Sequence, residues 1–508
     1  MGRSPLRIGA AAMACAALLV SEGCTVGPDY QQPAAPEVSG YTPEPLAPKT
    51  ASAPVPGGSA QRFATGRDIP GEWWTLYRSP ALDTLVRQAL AANPDLQAAQ
   101  AALRQARETA TAQEGPLYPT VDASASMSRN RISGATFGQP GTSFLYSLAT
   151  AQLSVAYDLD IFGRNRRAAE AAEAQAENQR FQLEAAYLTL TSNVVVAAVQ
   201  EASLRAQIAA TRDIVAAETT QLDMVRRQFA LGGASKADVL AQEATVAQTR
   251  ATLPALEKSL AQQRNLLTAL AGRFPSQEIE QKFDLAAMEL PLEIPVSLPS
   301  NLLDQRPDIQ AAAASLHQAS AEVGVATANM LPQLTLSASY GSMASTADGL
   351  FYPGTSIWSL GTGLTQPLFH GGQLLHQRRA AVAAFDQAAA QYRSTVLTAF
   401  RNVADALRAL QTDADAVRQQ AAADRAATGS LELARTQFAE GGISYLTLLN
   451  AQNTSNQARI ALVQAQAARL SDTAALFQAL GGGWWNRTDV PAAKGEDTSA
   501  SAGTPQKE

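Results

Sequence analysis

An apolar seam with steps of four and three runs along this chain from Leu183 to Phe229. It lands on Tyr187, Leu190, Val194, Ala197, Glu201, Leu204, Ile208, Thr211, Val215, Glu218, Leu222 and Val225, and only three of its positions are polar. Displaced by 209 residues, the same register reads Tyr392, Val396, Ala399, Val403, Ala406, Leu410, Asp413, Val417, Gln420, Asp424, Ala427, Leu431, Ala434 and Phe438. A heptad pattern sustained this far specifies helices that supercoil around neighbours rather than pack into a globule. Helix from Arg164 to Ala230 would contain 67 residues and extend about 100 Å at the usual rise, far beyond an ordinary globular helix.

Each long run meets a glycine pair, Gly232-Gly233 or Gly441-Gly442, which ends a helix because glycine tolerates the left-handed backbone of a C-terminal cap. In the first copy a second run returns through Val239, Val246, Leu253, Leu260 and Leu267. Antiparallel helical hairpins are therefore expected twice, with Pro254 interrupting and bending the first returning helix. Other features recur at similar offsets. Asn93-Pro94-Asp95-Leu96 is answered by Arg306-Pro307-Asp308-Ile309, and Tyr118-Pro119 by Leu331-Pro332, each 213 residues on. The 508-residue chain thus reads as a duplicated unit.

Between the helical runs the period changes to two. Val121, Ala123, Ala125 and Met127 alternate with Asp122, Ser124, Ser126 and Ser128, and Leu153 to Ile161 alternate in the same way. The second copy supplies Leu334 to Tyr340 and Trp358 to Leu364, and Gly-rich loops at Arg131–Gly141 and Ser342–Gly354 would close each pair as a hairpin. No run of roughly 18 apolar residues occurs outside the N-terminus, so a membrane crossing would have to be made of strands. Four strands are too few to close a barrel, and open sheet edges are not tolerated in lipid. Several protomers must then pool their hairpins, and three would give twelve strands.

Composition narrows the function. With 39 basic and 45 acidic residues the formal charge is −6, which disfavours nucleic acid as a partner. Arg3 and Arg7 precede an apolar run from Ile8 to Val20 and then Gly23-Cys24, the layout of a secretory signal. Cys24 at the cleavage point resembles a bacterial lipobox, whose thiol is acylated and anchors the protein to lipid. Ser21 and Glu22 depart from that pattern, and plain signal-peptidase cleavage nearby is the alternative. Removal of Cys15 with the signal would leave no internal disulfide. Pro43, Pro45, Pro48, Pro54 and Pro56 make Thr25–Arg67 a tether that should form neither helix nor sheet. The domain reading is signal peptide 1–23, lipid-anchored Pro-rich tether 24–72, repeats 73–280 and 300–483 joined by a linker 281–299, and a C-terminal tail 484–508 that is expected to be disordered from Asn486 to Glu508.

Taken in order, Val26-Gly27-Pro28-Asp29-Tyr30, Trp73-Trp74, the Asn-Pro-Asp and Arg-Pro-Asp pair, Asp158-Leu159-Asp160-Ile161-Phe162-Gly163-Arg164 and Gly481-Gly482-Gly483-Trp484-Trp485 resemble the outer membrane efflux family, the TolC- and OprM-like factors and their NodT-type lipoproteins. The resemblance implies an α+β membrane protein in which a homotrimer forms a 12-strand β-barrel continuous with a 12-helix periplasmic α-barrel. It implies a passive exit duct in the bacterial outer membrane, fed by a periplasmic membrane-fusion adaptor and an inner-membrane pump of the RND, MFS or ABC type. It places the periplasmic aperture on Tyr445-Leu446-Thr447-Leu448-Leu449-Asn450, with Leu446 as the apolar constriction and Asn450 where the family usually has a carboxylate. Phe438-Ala439 likewise stand where a Tyr-Arg pair is common, and the expectation is a weaker polar latch. The helix-tip turns at Gly232, Gly233, Gly441 and Gly442 are the expected adaptor-docking points.

The competing reading is a periplasmic coiled-coil adaptor or structural lipoprotein without a pore, which would have one helical hairpin rather than two. An enzyme is not expected, because nothing assembles a nucleophile, a base and an oxyanion site, and no cofactor or metal is called for. Asp158, Asp160 and Gly163 imitate a calcium loop, but Phe162 fills a ligand position and Ala169 replaces the closing glutamate, so a strand-to-helix corner is expected instead. His317, His370 and His376 share no metal-site spacing. Gly232-Gly233-Ala234-Ser235-Lys236 follows a helix and lacks a phosphate loop's residue order. The paired tryptophans are either interface anchors or ordinary packing.

Overall fold

The computed structural model describes residues 25–487 except Ser39 and Leu46. The expected signal peptide, Cys24 and most of the C-terminal tail lie outside the described residues. In chain order the elements are β1 (Arg62–Thr65), α1 (Pro80–Ala92), α2 (Pro94–Glu114), β2 (Thr120–Ser133), β3 (Ser143–Leu159), α3 (Arg164–Ala230), α4 (Lys236–Leu270), β4 (Glu293–Val296), α5 (Leu302–Gln305), α6 (Pro307–Ala328), β5 (Gln333–Ala344), β6 (Ser356–Thr365), α7 (Gln373–Ala439) and α8 (Tyr445–Ala479). The long helices α3 and α7 have 67 residues each, and the returning helices α4 and α8 have 35 each.

The seam explains the packing of these helices. Every seam position from Leu190 to Val225 except Val215 is buried, and no seam position of α7 is exposed. The expected interruption at Pro254 is absent, and α4 carries the proline within one continuous helix. The missing N–H removes one bond to the carbonyl of Arg250, but the turns on either side carry the helix on.

Two compact units divide the chain. The first contains residues 98–183 and 308–397 with the N-terminal residues up to Ala34. Its centre is a four-stranded antiparallel sheet in the order β2-β3-β5-β6. Register sorts the side chains by face. Val121 opposes Val155, Ala123 opposes Leu153, Leu153 opposes Tyr340, Tyr340 opposes Trp358 and Ala338 opposes Leu360. One face is therefore apolar. Its opposite carries Asp122, Ser124, Ser154, Ser337, Ser339, Ser359 and Gly361. Val121, Leu153, Tyr340, Trp358 and Leu360 are all exposed.

At the start of α3 the Asp160 carboxylate accepts from the N–H groups of Asn165 (3.1 Å) and Arg166 (2.8 Å), while Gly163 takes a φ of 78°. The acid thus caps a helix N-terminus, where free N–H groups and the helix dipole favour negative charge. This is the strand-to-helix corner expected from the sequence. His317 also lies in this unit, 2.9 Å from a Glu170 carboxylate oxygen and stacked on Tyr30.

Residues 35–97, 184–307 and 398–487 lie in the second unit. Its core holds Trp73, Trp74, Tyr77, Leu82, Leu85 and Phe477. Trp74 donates its indole N–H to Asp83 (3.0 Å), Trp484 to the Gln305 carbonyl (2.8 Å) and Trp485 to Asp68 (2.9 Å). Both tryptophan pairs are thus used in packing within the chain. Here the Pro-rich segment departs from expectation. Its prolines stop at Pro56, and Arg62–Thr65 is free to pair in parallel with Glu293–Val296 as β1 and β4. The segment before β1 is clamped by Arg469, whose guanidinium is fully buried and donates to the carbonyls of Gly57 (3.0 Å) and Ser59 (2.8 Å) and to Thr50 Oγ1 (2.9 Å). Burial lowers its value to about 10.

The recurrent motifs close the hairpins. Asn93 Nδ2 donates to the carbonyl of Leu270 (3.0 Å) at the end of α4, and Arg306 Nη1 donates to that of Ala479 (2.8 Å) at the end of α8. Carbonyls in a last helical turn have no intrahelical donor. Both motif residues satisfy one.

Candidate functional site

Each long helix is stopped by the same turn chemistry. Gly232 adopts φ 80° and Gly441 φ 77°, while the N–H of Gly233 reaches the carbonyl of Gln228 and that of Gly442 reaches Gln437, both at 2.7 Å. A β-carbon at Gly232 or Gly441 would meet nothing within 4 Å, so backbone conformation alone demands glycine there. Ser235 then caps α4 in a reciprocal box with Asp238, and Ser444 caps α8 by accepting from the N–H of Thr447 (3.3 Å).

Beneath the turns a cluster of Leu222, Val225, Val239, Val246, Leu431, Ala434, Tyr445 and Leu448 joins all four helices. On α8 the alternation of faces separates these anchors from the expected aperture residues. Tyr445 and Leu448 point into the cluster, whereas Leu446 and Asn450, one helical turn apart, are exposed. Leu446 and Asn450 thus share one face and border the tip turn, while the two glycine pairs sit at the tips of separate hairpins.

A polar tie crosses the cluster that sequence reasoning did not find. The Tyr445 hydroxyl donates to Gln242 Oε1, the Gln242 amide donates to the backbone carbonyl of Glu218 (2.9 Å), and Asn456 donates to a Glu218 carboxylate oxygen (3.0 Å). Burial raises the Glu218 carboxyl above its ordinary value, and its second oxygen has no hydrogen-bond partner among the described residues. Phe438 supports the tie by packing edge-on against Tyr445 at 5.6 Å. The only sequence signals were the acid at a seam position and a tyrosine within an otherwise apolar stretch.

Among the described residues no cluster of three or more His, Cys, Asp or Glu is placed to hold a metal ion. His370 and His376 are exposed. No described helix is long and apolar enough to cross a membrane.

The family model described as outer membrane efflux protein matches residues 85–273 and again 298–482. The probable efflux pump outer membrane protein TtgC of Pseudomonas putida is 31% identical over 467 residues, covering 92% of this chain and 94% of the relative. The pyoverdine export outer membrane protein OpmQ of Pseudomonas aeruginosa is 33% identical over 421 residues, covering 81% and 87%. Among solved structures, the outer-membrane channel OprN superposes with a TM-score of 0.81 at 27% identity, covering 91% of this chain and all (100%) of that one. The outer membrane protein VceC of Vibrio cholerae gives 0.77 at 28% identity, covering 82% and 100%.

Proposed function

This chain belongs to the outer membrane efflux protein family, and from that premise we propose that three copies pool their sheets into one closed twelve-strand barrel that continues into a periplasmic barrel of twelve helices. The chain serves as the outer-membrane exit duct of an efflux system. One observation carries the pooled barrel. The sheet of a single chain ends in two strands, β2 and β6, with no further partner among the described residues, and its apolar face is exposed. Unpaired backbone groups and a broad apolar face each cost several kcal/mol in the wrong solvent, and closure within lipid removes both costs. The strands have 14, 17, 12 and 10 residues, enough to span a bilayer when tilted.

In this arrangement the duplicated helical hairpins line the duct, the tips at Gly232–Gly233 and Gly441–Gly442 face the periplasmic adaptor, and the inner-membrane pump supplies energy and cargo. Leu446 and Asn450 form the aperture, Cys24 carries the lipid, and the two repeats are residues 73–280 and 300–483. Small organic molecules are the fitting cargo, since toluene, solvent and pyoverdine occur in the names of relatives.

Purified protein inserted in planar bilayers should form ion-conducting trimers that survive crosslinking as a single species. Monomeric protein without conductance overturns the reading. A ring of amides at Asn450 leaves the aperture uncharged, so Asn450→Asp should raise cation preference while Asn450→Ala leaves it unchanged. Identical traces for the wild type and both variants would remove Asn450 from the aperture.

A further inference from the structure

The two strand-to-helix corners of the first unit are finished differently. At the first, between β3 and α3, the N-terminal segment lies over the turn. The N–H of Val26 donates to the Phe162 carbonyl (3.1 Å), and a β-carbon at Gly163 would stand 2.6 Å from the Thr25 side chain. Arg167 holds that segment down through Asp29 at 2.6 Å. Ile161 and Phe162 are consequently half-buried.

Among the described residues no such cover lies over the second corner, between β6 and α7. Leu368 is 91% exposed and Phe369 86% exposed. Looseness does not explain this, because the backbone is pinned on both sides. Gln366 donates to the carbonyls of Met330 (3.1 Å) and Pro367 (3.0 Å), and the N–H groups of Gln373 and His376 reach His370 and Gly372 at 3.0 Å each. Two adjacent apolar side chains are thus presented on a fixed turn.

We propose that Leu368 and Phe369 form an intersubunit plug that seats against the Tyr118 turn of a neighbouring copy of this chain. Strand polarity selects that occupant. The strands alternate in direction across β2-β3-β5-β6, so a copy that continues the sheet from β6 presents β2 antiparallel to it. The end of β6 then meets the beginning of the partner's β2. Immediately before β2 stands Tyr118, 67% exposed and flanked by Pro116 and Pro119, with the Pro116 carbonyl held by Asn165 Nδ2 at 3.2 Å. Each side of the contact is therefore an apolar projection on a hydrogen-bonded turn, left exposed by the described residues of its own chain. The inference rests on the shared-wall reading, and it assigns to this contact the sealing of the seam where β6 gives way to helix.

The test uses the full chain in outer membranes. Tyr118→Cys combined with Leu368→Cys or Phe369→Cys, oxidised with copper phenanthroline, should yield covalent dimers and trimers that neither single variant gives. The single variants also report any coupling through Cys24. A second set pairs Ser124→Cys on β2 with cysteines at Ile357, Ser359, Gly361 and Gly363 on β6. Crosslinks in this set without any at the corner overturn the plug and leave the shared wall standing. Absence of both overturns plug and wall together. A nitroxide on Leu368→Cys provides a readout that needs no crosslink. Immobilisation with low oxygen accessibility supports the plug, and high accessibility from the lipid phase overturns it.

Discussion

The α3–α4 and α7–α8 hairpins are matched in length, in turn geometry and in the placement of their apolar seams, yet they surround a buried seam acid with opposite kinds of partner. Seam position Glu201 of α3 is fully buried and accepts from Arg205 (2.6 Å), from Arg264 (3.0 Å) and from the N–H of Phe283 (3.1 Å). Arg264 continues to Glu278 and to the carbonyls of Ile279 (2.8 Å) and Gln281 (3.1 Å). In the second hairpin the seam acid Asp413 faces another acid, Asp472. Burial, then the Asp472 carboxyl, push Asp413 up to about 7, with Arg469 acting in the opposite direction. Equal backbones thus carry one acid, Glu201, within an ion-paired network and another, Asp413, whose value burial and a second acid raise. Periodicity decides that a position is buried, and the partner decides what burial costs.

Removal of the network's cation should give the largest effect. Arg264→Met leaves Glu201 buried with only Arg205 and one N–H, and breaking a buried pair costs about 3–5 kcal/mol. The melting midpoint in detergent should fall accordingly, with partial recovery in Arg264→Met/Glu201→Met, and an unchanged midpoint would remove the network from the stability of the hairpin.

Next in size is the pH response of Asp413. Its folded value lies above the 3.8 of an ordinary aspartate, so the folded state holds the proton more tightly. The penalty is absent when both states are protonated, grows as pH rises from about 4 to about 7, and is constant above. Discounted for partial exposure, the stability gained by Asp413→Asn should grow by roughly 2 kcal/mol across that interval. A difference between variant and wild type that stays flat with pH breaks the contrast between the two acids.

Smaller again is the tie under the tips. Tyr445→Phe leaves Gln242 Oε1 without its donor and should cost about 1–2 kcal/mol. It should also raise the open probability in single-channel recordings. At the first tip the position matching Tyr445 is Lys236, whose ammonium lies over the exposed Phe229 ring. The smallest effects belong to the caps. Ser235→Ala loses the bond from the Asp238 N–H and the hydroxyl's own bond to the Asp238 carboxylate, keeps the backbone N–H of residue 235 on that carboxylate, and should cost about 1 kcal/mol, with Ser444→Ala about half of that. Equal losses would mean that Asp238 adds nothing to the first tip.

Local chemistry was sufficient for much of this architecture. Glycine pairs mark both tips because the left-handed turn belongs to glycine, and the heptad register extends across α3 and α7 because a helix writes its buried face into spacing. The period-two segments forecast β2, β3, β5 and β6, whose hairpins proved longer than expected, with β2 running to Ser133 and β5 to Ala344. Two local inferences overreached. Proline density obscured β1, which is made of the four proline-free residues Arg62–Thr65, and Pro254 does not interrupt α4, because one missing hydrogen bond does not end a helix of this length. At the second tip the resemblance pointed to Leu446 and Asn450, which the structure leaves exposed on one face of α8, and sequence reasoning missed the tie through Gln242, Glu218 and Asn456, which lie on three different helices.

What the sequence settled alone was repetition and period: two helical hairpins, two strand pairs, and too few strands to close a sheet within one chain. Those properties follow from backbone geometry, which each segment expresses through its own residues. What only the tertiary structure decided was partnership. Arg264 finds Glu201, Asp413 finds Asp472, Tyr445 finds Gln242, and Thr25 covers one corner while Leu368 and Phe369 stay bare at the other. Interactions between residues distant in sequence leave no spacing to read, because their energy depends on desolvation and distance, and both are fixed only when the helices and strands have come together.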